Sequence, residues 1–301
     1  MSFEKNLGED NIMVSVCVLT YNHSQYIRQS LDGILMQQVN FKIEVLIHDD
    51  ASNDGTEGII KEYADKYPDI IKPLYEKENQ WLKGRRGSAV FNFPRSVGKY
   101  IALCEGDDYW TDPAKLQKQV DFLDNNLEYS ACQHHRMVLY PNGKCKVENL
   151  NEHIFTQCFL FRNILDEYYL NSTERAQTFN GDTFLEFYIK STGKLHYLDF
   201  VGAVYRYSGE GIFSSLNLLK KKINSYSSYE KIIIFLKNSC YPYKEKMIQE
   251  AKSNLIETYW LLFTMDSKTY TLLNYLKLHI KYKTINYIQF KRLLKILLNR
   301  I

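Results

Sequence analysis

Three apolar runs that do not alternate, each stopping abruptly in acidic or amide side chains, constrain this chain more than any other feature. They read VSVCVLTY over residues 14–21, IEVLI over 43–47 and YIALC over 100–104. A strand covered on both faces has no polar side to alternate with, so such runs belong in a parallel sheet sandwiched between helices. The first passes into Asn22, His23 and Ser24, the second into His48, Asp49 and Asp50, and the third into Glu105, Gly106, Asp107 and Asp108. In an open α/β sheet ligands bind beyond the carboxyl ends of the strands, so these three ends should converge on one crevice.

Between the runs the period changes from strand to helix. Ile27, Leu31, Ile34 and Leu35 share one helical face, and Ile60, Tyr63, Ala64 and Tyr67 mark a second helix before Pro68. Residues 70–75 offer a third strand, and the order strand, helix, strand, helix, strand predicts a doubly wound domain. Thr111-Asp112-Pro113 predicts a helix start, with Leu116, Val120 and Leu123 facing inward. A strand over 129–140 should turn at Pro141-Asn142-Gly143. Residues 150–180 are aromatic and poorly patterned, Phe184, Leu185, Tyr188 and Ile189 form a helical face, and LHYLDFVGAVYRY over 195–207 reads as a strand.

Carboxylates crowded at a strand end repel one another unless a cation sits among them. The hard divalent ions Mg²⁺ and Mn²⁺ take oxygen ligands and bind phosphates, so Glu105 to Asp108 reads as a metal and diphosphate corner. The plain alternative is a solvated acidic turn. Lys83, Arg85, Arg86 and Arg95 add cations in the loop that leads to this strand, where Arg86 is a candidate phosphate contact. His48, His134 and His135 have no metal-ligand spacing and read as structural.

Net charge is +3, but residues 1–215 carry 22 Lys and Arg against 30 Asp and Glu, whereas 216–301 carry 16 against 5. The chain therefore divides, by expectation, into a domain at 1–215 and a basic helical extension at 216–301. The helices of the extension should pack on the domain, or, on the sharper reading, touch an anionic bilayer peripherally. Six cysteines without a C-x-x-C pair suit a reducing, cytoplasmic compartment. Neither a signal pattern nor an apolar run near 18 residues is seen, and no recognition motif for nucleic acid accompanies the basic tail.

VSVCVLTYNHSQYI, IEVLIHDDASNDGT and GKYIALCEGDDYWTDPAKLQKQVDF, in this order, resemble family 2 glycosyltransferases, and the likeness extends over roughly residues 12–215. The stretch 91–122 is similar to bacterial members that build surface polysaccharides. The resemblance implies a GT-A fold: a Rossmann-like, mostly parallel sheet flanked by helices, here with the C-terminal helical extension. It implies an inverting, hexosyl-type transfer from a nucleoside-diphosphate sugar, UDP-linked on family grounds, to a hydroxyl of a glycan or lipid-linked acceptor at the inner face of the plasma membrane. Tyr21 and Asn22 fall at the nucleobase, Asp49 and Asp50 at the base edge, Glu105 and Asp107 at the ribose and diphosphate, Asp107 and Asp108 at a Mn²⁺ or Mg²⁺ ion, and Asp182 at the general base. The family's Y-R-x-H-x-G-G-x-W-S-like segment reads YRYSGEGIFS over 205–214, so Ser208 stands where a metal-binding histidine is expected and Glu210 where a glycine is. Two other readings remain open. One is a non-catalytic module that holds a nucleotide sugar or a partner. The other is a nucleotidyltransferase, which the lack of glycine after the first strand disfavours.

Overall fold

The computed structural model describes residues 12–148, 154–207 and 216–282. Its first half runs β1 (Ile12–Thr20), α1 (Ile27–Leu35), β2 (Lys42–Asp49), α2 (Thr56–Lys66), β3 (Ile71–Tyr75), α3 (Ser88–Phe91) and β4 (Tyr100–Glu105). There follow β5 (Tyr109–Trp110), α4 (Lys115–Asn125), β6 (Tyr129–Leu139), β7 (Cys145–Glu148), β8 (Phe159–Arg162), α5 (Glu167–Leu170), α6 (Thr173–Ala176), α7 (Gly181–Thr192) and β9 (Lys194–Arg206). Three helices close the described chain: α8 (Leu218–Lys237), α9 (Lys244–Met265) and α10 (Leu272–Tyr282).

One sheet carries the strands in the order β3-β2-β1-β4-β8-β6-β9-β5, with β7 beside β6. The first four are mutually parallel. Beyond them the sheet is mixed: β8 runs antiparallel to β4 and β6, β9 parallel to β6, and β5 antiparallel to β9. From β1 the chain moves outward through β2 and β3, then returns to place β4 on the other side of β1. That reversal is the switch point at which such sheets open a crevice.

The lack of alternation in the apolar runs has a direct cause. Val14, Val16 and Val18 pack with Ile27, Leu31 and Ile34 of α1 on one face, while Cys17 joins Leu46, Ile101, Leu103 and Phe161 on the other. Both faces are dry, as the runs require. The second face is roofed by α7, α8 and α9: Phe184, Phe187 and Tyr188 share one cluster with Ile232, Phe235 and Leu236 of α8 and with Met247, Ile248 and Leu255 of α9. Lys190 of α7 adds a polar tie, 3.2 Å from Glu186 and 2.7 Å from Glu250 of α9. No helix among the described residues is long and apolar enough to cross a membrane.

Some local expectations shift. The helix expected from Pro113 starts at Lys115, because Asp112 accepts the Ala114 N–H at 2.8 Å and pairs with Lys118 at 2.6 Å, holding 112–114 as a turn. Lys115 is fully buried, its ammonium 3.9 Å over the Trp110 ring and 2.8 Å from Gln119 Oε1. Burial brings its pKa down to about 8. The hairpin at 141–143 forms as expected, joining β6 to β7. The polar loop 208–215, and with it Ser208 and Glu210, lies outside the described residues, as does the basic stretch 283–301.

Two buried histidines make the fold acid-sensitive. His48 stacks on Phe91 at 3.7 Å and His134 lies against Phe200, and Nε2 of each is buried without a hydrogen-bond partner. Burial lowers their pKa values to about 4 and about 3. Since the folded values lie below the unfolded 6.5, the stability involved is intact above pH 6.5 and is lost as pH falls toward them. Each histidine should remove about 2 kcal/mol at pH 5. Urea unfolding at pH 7 and pH 5 should therefore show a smaller acid loss in His48→Phe than in wild type; equal losses would mean that His48 is protonated in the folded chain.

Candidate active site

Register brings the three strand ends level. Thr20 of β1 pairs with Asp49 of β2, and Leu19 pairs with Glu105 of β4, so Tyr21, Asp50 and Gly106 leave the sheet side by side. Two strand spacings, about 10 Å, separate the Asp50 end from the Glu105 end.

At the β2 end the acids are engaged in building loops. Asp49 is fully buried and accepts from Ser52 Oγ at 2.5 Å and Ser52 N–H at 3.1 Å; burial nevertheless raises its pKa. Asp50 accepts the backbone N–H groups of Gln80 (2.6 Å) and Trp81 (3.1 Å), which ties down the loop 79–87. Within that loop the Arg86 guanidinium lies 4.5 Å from the Trp81 ring and 5.4 Å from that of Phe179, and its Nε is buried without a partner. Asp50 therefore fixes the loop that carries the cation. A carboxylate has further lone pairs, so two N–H partners leave room for a third.

The β1 end is stitched to the same loops. Asn22 has φ 55°, a left-handed conformation that asparagine tolerates, donates its N–H to Ser52 Oγ and accepts the Asn53 N–H. His23 N–H donates to Thr56 Oγ1 at 2.9 Å, and Ser24 N–H to Asp54 Oδ2 at 2.9 Å. Burial works against ionisation of Asp54, but hydrogen bonds from Thr56 and Ser24 outweigh it and hold its pKa below the usual range. Tyr21 stands nearly half exposed beside this turn.

At the β4 end the acids separate by environment. Asp108 is buried and accepts the Arg206 N–H at 2.9 Å; burial, then the neighbouring Asp107, raises its pKa well above normal. Asp107 is partly exposed, with His23 Nε2 4.0 Å from its Oδ2. Glu105 is pushed up to about 8 by burial, then by Asp107 and Asp182. Asp182, at the start of α7, is thus near enough to Glu105 to oppose its ionisation. Asp182 is exposed on α7, and lost hydration among its neighbours raises its pKa. Thr183 N–H donates to it at 2.7 Å.

Arg206 is the counterweight to these acids. Its guanidinium donates to the main-chain oxygen of Asp107 and to Gln29, and lies 4.4 Å from the Tyr109 ring. Sequence reasoning read His23 as a turn residue and Gly106 as a hinge, and gave neither of them, nor Phe179, a part in the site. Gly106 has the clearest reason: a Cβ there would stand 2.8 Å from both His23 Nδ1 and Thr20 Oγ1. Those two atoms are buried and have no hydrogen-bond partner.

Among the described residues no three His, Cys, Asp or Glu side chains are arranged to hold a metal alone. One open carboxylate suits an ion such as Mg²⁺, which binds through one or two carboxylates plus substrate phosphates and water. Asp107 meets that requirement; Asp108, turned inward to Arg206, would have to rotate.

With this geometry in hand, the chain's relatives are informative. Residues 15–186, more than half of the chain, match the model of Glycosyl transferase family 2, and the chain belongs to that family. It is 43% identical over 130 residues to an uncharacterized protein of Mycobacterium tuberculosis, covering 43% of this chain and 37% of the relative. It is 34% identical over 111 residues to the putative teichuronic acid biosynthesis glycosyltransferase TuaG of Bacillus subtilis, covering 37% and 42%. The matched stretch thus spans well under half the length of these curated relatives. A mannosyltransferase from Pyrobaculum calidifontis, solved with GDP-Man and Mn²⁺, superposes with TM-score 0.59 at 18% identity, covering 96% of this chain and 81% of that one. The fold is GT-A, as the sequence led one to expect.

Asp50→Ala should release the loop 79–87. One buried and one part-buried N–H would lose their acceptor, at about 1–3 kcal/mol, and limited proteolysis should newly cut within 79–87. An unchanged digestion pattern would show that the loop is held otherwise.

Proposed function

We propose that this protein is an inverting glycosyltransferase that moves a hexosyl group from a nucleoside-diphosphate sugar to a hydroxyl of a glycan or lipid-linked acceptor in surface polysaccharide synthesis. What supports this reading is the family membership together with the level ends of β1, β2 and β4, with Asp182 near enough to Glu105 to oppose its ionisation. Tyr21 and Asn22 would face the nucleobase, Asp50 its edge, and Glu105 and Asp107 the ribose and diphosphate, with Arg86 reaching the phosphates. Uridine is the proposed base on the family likeness. The Pyrobaculum neighbour, solved with GDP-Man, supports a nucleotide-sugar donor in general, and TuaG's name supports the polysaccharide context.

In the reaction the acceptor oxygen attacks the anomeric carbon while the bond to the diphosphate breaks, and the diphosphate leaves with the electron pair. The acceptor proton passes to Asp182, whose raised proton affinity suits a base in a partly dehydrated site. One in-line displacement inverts the centre. Asp107 would hold a divalent ion there, whose positive charge would stabilise the departing diphosphate. Arg206 keeps the acid loop in register: its guanidinium donates to the Asp107 main-chain oxygen and its backbone N–H to the Asp108 carboxylate.

The extension would meet a membrane from α10, the inner face of a bacterial plasma membrane being the proposed location. Leu273 and Ile280 are about three-fifths exposed, and Lys277 and Lys281 lie on the same exposed arc, which has no acid. Apolar side chains beside lysines fit an anionic headgroup layer.

Asp182→Asn should lower the turnover rate by about 10²–10⁴-fold while calorimetry finds donor affinity near wild type; transfer near the wild-type rate would move the base elsewhere, and donor binding without turnover in wild type would favour the binding-module reading. Sedimentation with phosphatidylglycerol vesicles, but not phosphatidylcholine ones, should carry the protein down, and Lys277→Glu with Lys281→Glu should abolish this. Equal recovery of the double variant would reject α10 as the contact.

A further inference from the structure

His23 sits at the metal corner, and nothing in the turn it belongs to needs an imidazole. The turn is built by its main chain: His23 N–H goes to Thr56, and its carbonyl oxygen accepts from Tyr26 and Ile27 N–H, both at 2.8 Å. The ring instead leans over the acid loop. It lies so close to Gly106 that any side chain there would displace it, and its edge meets Tyr26 with ring centroids 6.4 Å apart. The ring is thus aimed by contacts on two sides.

Its Nε2 stands 4.0 Å from Asp107 Oδ2, and both side chains are about a quarter exposed to the crevice. That separation is too long for a hydrogen bond. It is within the reach of two ligands on one ion: with bonds of about 2.1 Å, ligand atoms can stand up to about 4.2 Å apart. A small rotation of either side chain closes the pair toward the adjacent positions of an octahedron. Asp108 is drawn inward to Arg206, so the open partner for Asp107 is the imidazole.

We propose that His23, through Nε2, is the second protein ligand of the divalent ion that Asp107 holds against the donor diphosphate. This inference rests on the donor-site reading above. An imidazole nitrogen beside a carboxylate also favours a transition-metal ion over Mg²⁺, so the site should prefer Mn²⁺.

The test uses Mn²⁺ with the full chain, alone and with UDP, and reads binding by electron paramagnetic resonance rather than by turnover. Wild type should show electron spin echo modulation from one coordinated ¹⁴N nucleus, and His23→Asn should lose it. The variant should also bind Mn²⁺ about tenfold or more weakly, by analogy with the loss on removing groups that support a metal ligand, with a smaller change for Mg²⁺. Asp107→Asn should lose both ions. If His23→Asn retains Mn²⁺ affinity and wild type shows no nitrogen modulation while Asp107→Asn still loses the ion, His23 is no ligand and the donor-site reading stands. If wild type binds Mn²⁺ neither alone nor with UDP, both ideas fail. Melting temperatures without metal check folding; should His23→Asn fold poorly, His23→Gln replaces it under the same criteria.

Discussion

Negative charge packed into four residues, Glu105 to Asp108, is the constraint around which this structure is arranged. Three carboxylates on one tight turn, faced by a fourth at Asp182, cannot all be ionised in a partly dry crevice without compensation. The molecule answers in three ways. Asp108 is drawn inward and bonded to a backbone N–H; burial raises the pKa of Glu105; and Arg206 lays a guanidinium against the turn. What remains on the turn is one partly exposed carboxylate, Asp107, where a divalent ion or a cationic side chain could bind.

The loops at the other two strand ends use their polar residues differently. Asp49, Asp54, Asn22, Ser52 and Thr56 bond one another and the backbone, so the β1 and β2 loops form one lattice. Asp50 then reaches thirty residues onward to hold the loop that carries Arg86. A ligand entering between these ends would find most groups already aimed, which lowers the ordering it must impose on binding.

Much of this was legible in the sequence because it depends on short-range pattern. Non-alternating runs gave the parallel strands, and turn residues after them gave the ends that face the crevice. Asp182 was put forward by the family resemblance and not by pattern. What could not be read depends on partners far along the chain. The direction of Asp108 is set by Arg206, 98 residues later, and the aim of His23 by Gly106, so neither leaves a local trace. Asp112 is an instructive miss: a good helix-start sequence became a turn because its carboxylate closed on Ala114 instead, delaying α4 by two residues. Lys115 escaped notice for a similar reason, since a lysine in an amphipathic helix gives no sign that Trp110 will cover it.

The shared core of α7, α8 and α9 bears on how the chain can be dissected. The helix α7, with Asp182 in its first turn, owes much of its dry surface to Phe235, Leu236, Met247 and Ile248, and its Lys190 is tethered to Glu250. A chain cut after β9 would bare that surface and free the tether. Loss of transfer in such a fragment would then report a loosened scaffold beneath the crevice, not missing chemistry in the tail, and single substitutions on the outer faces of the helices are the cleaner way to separate the two.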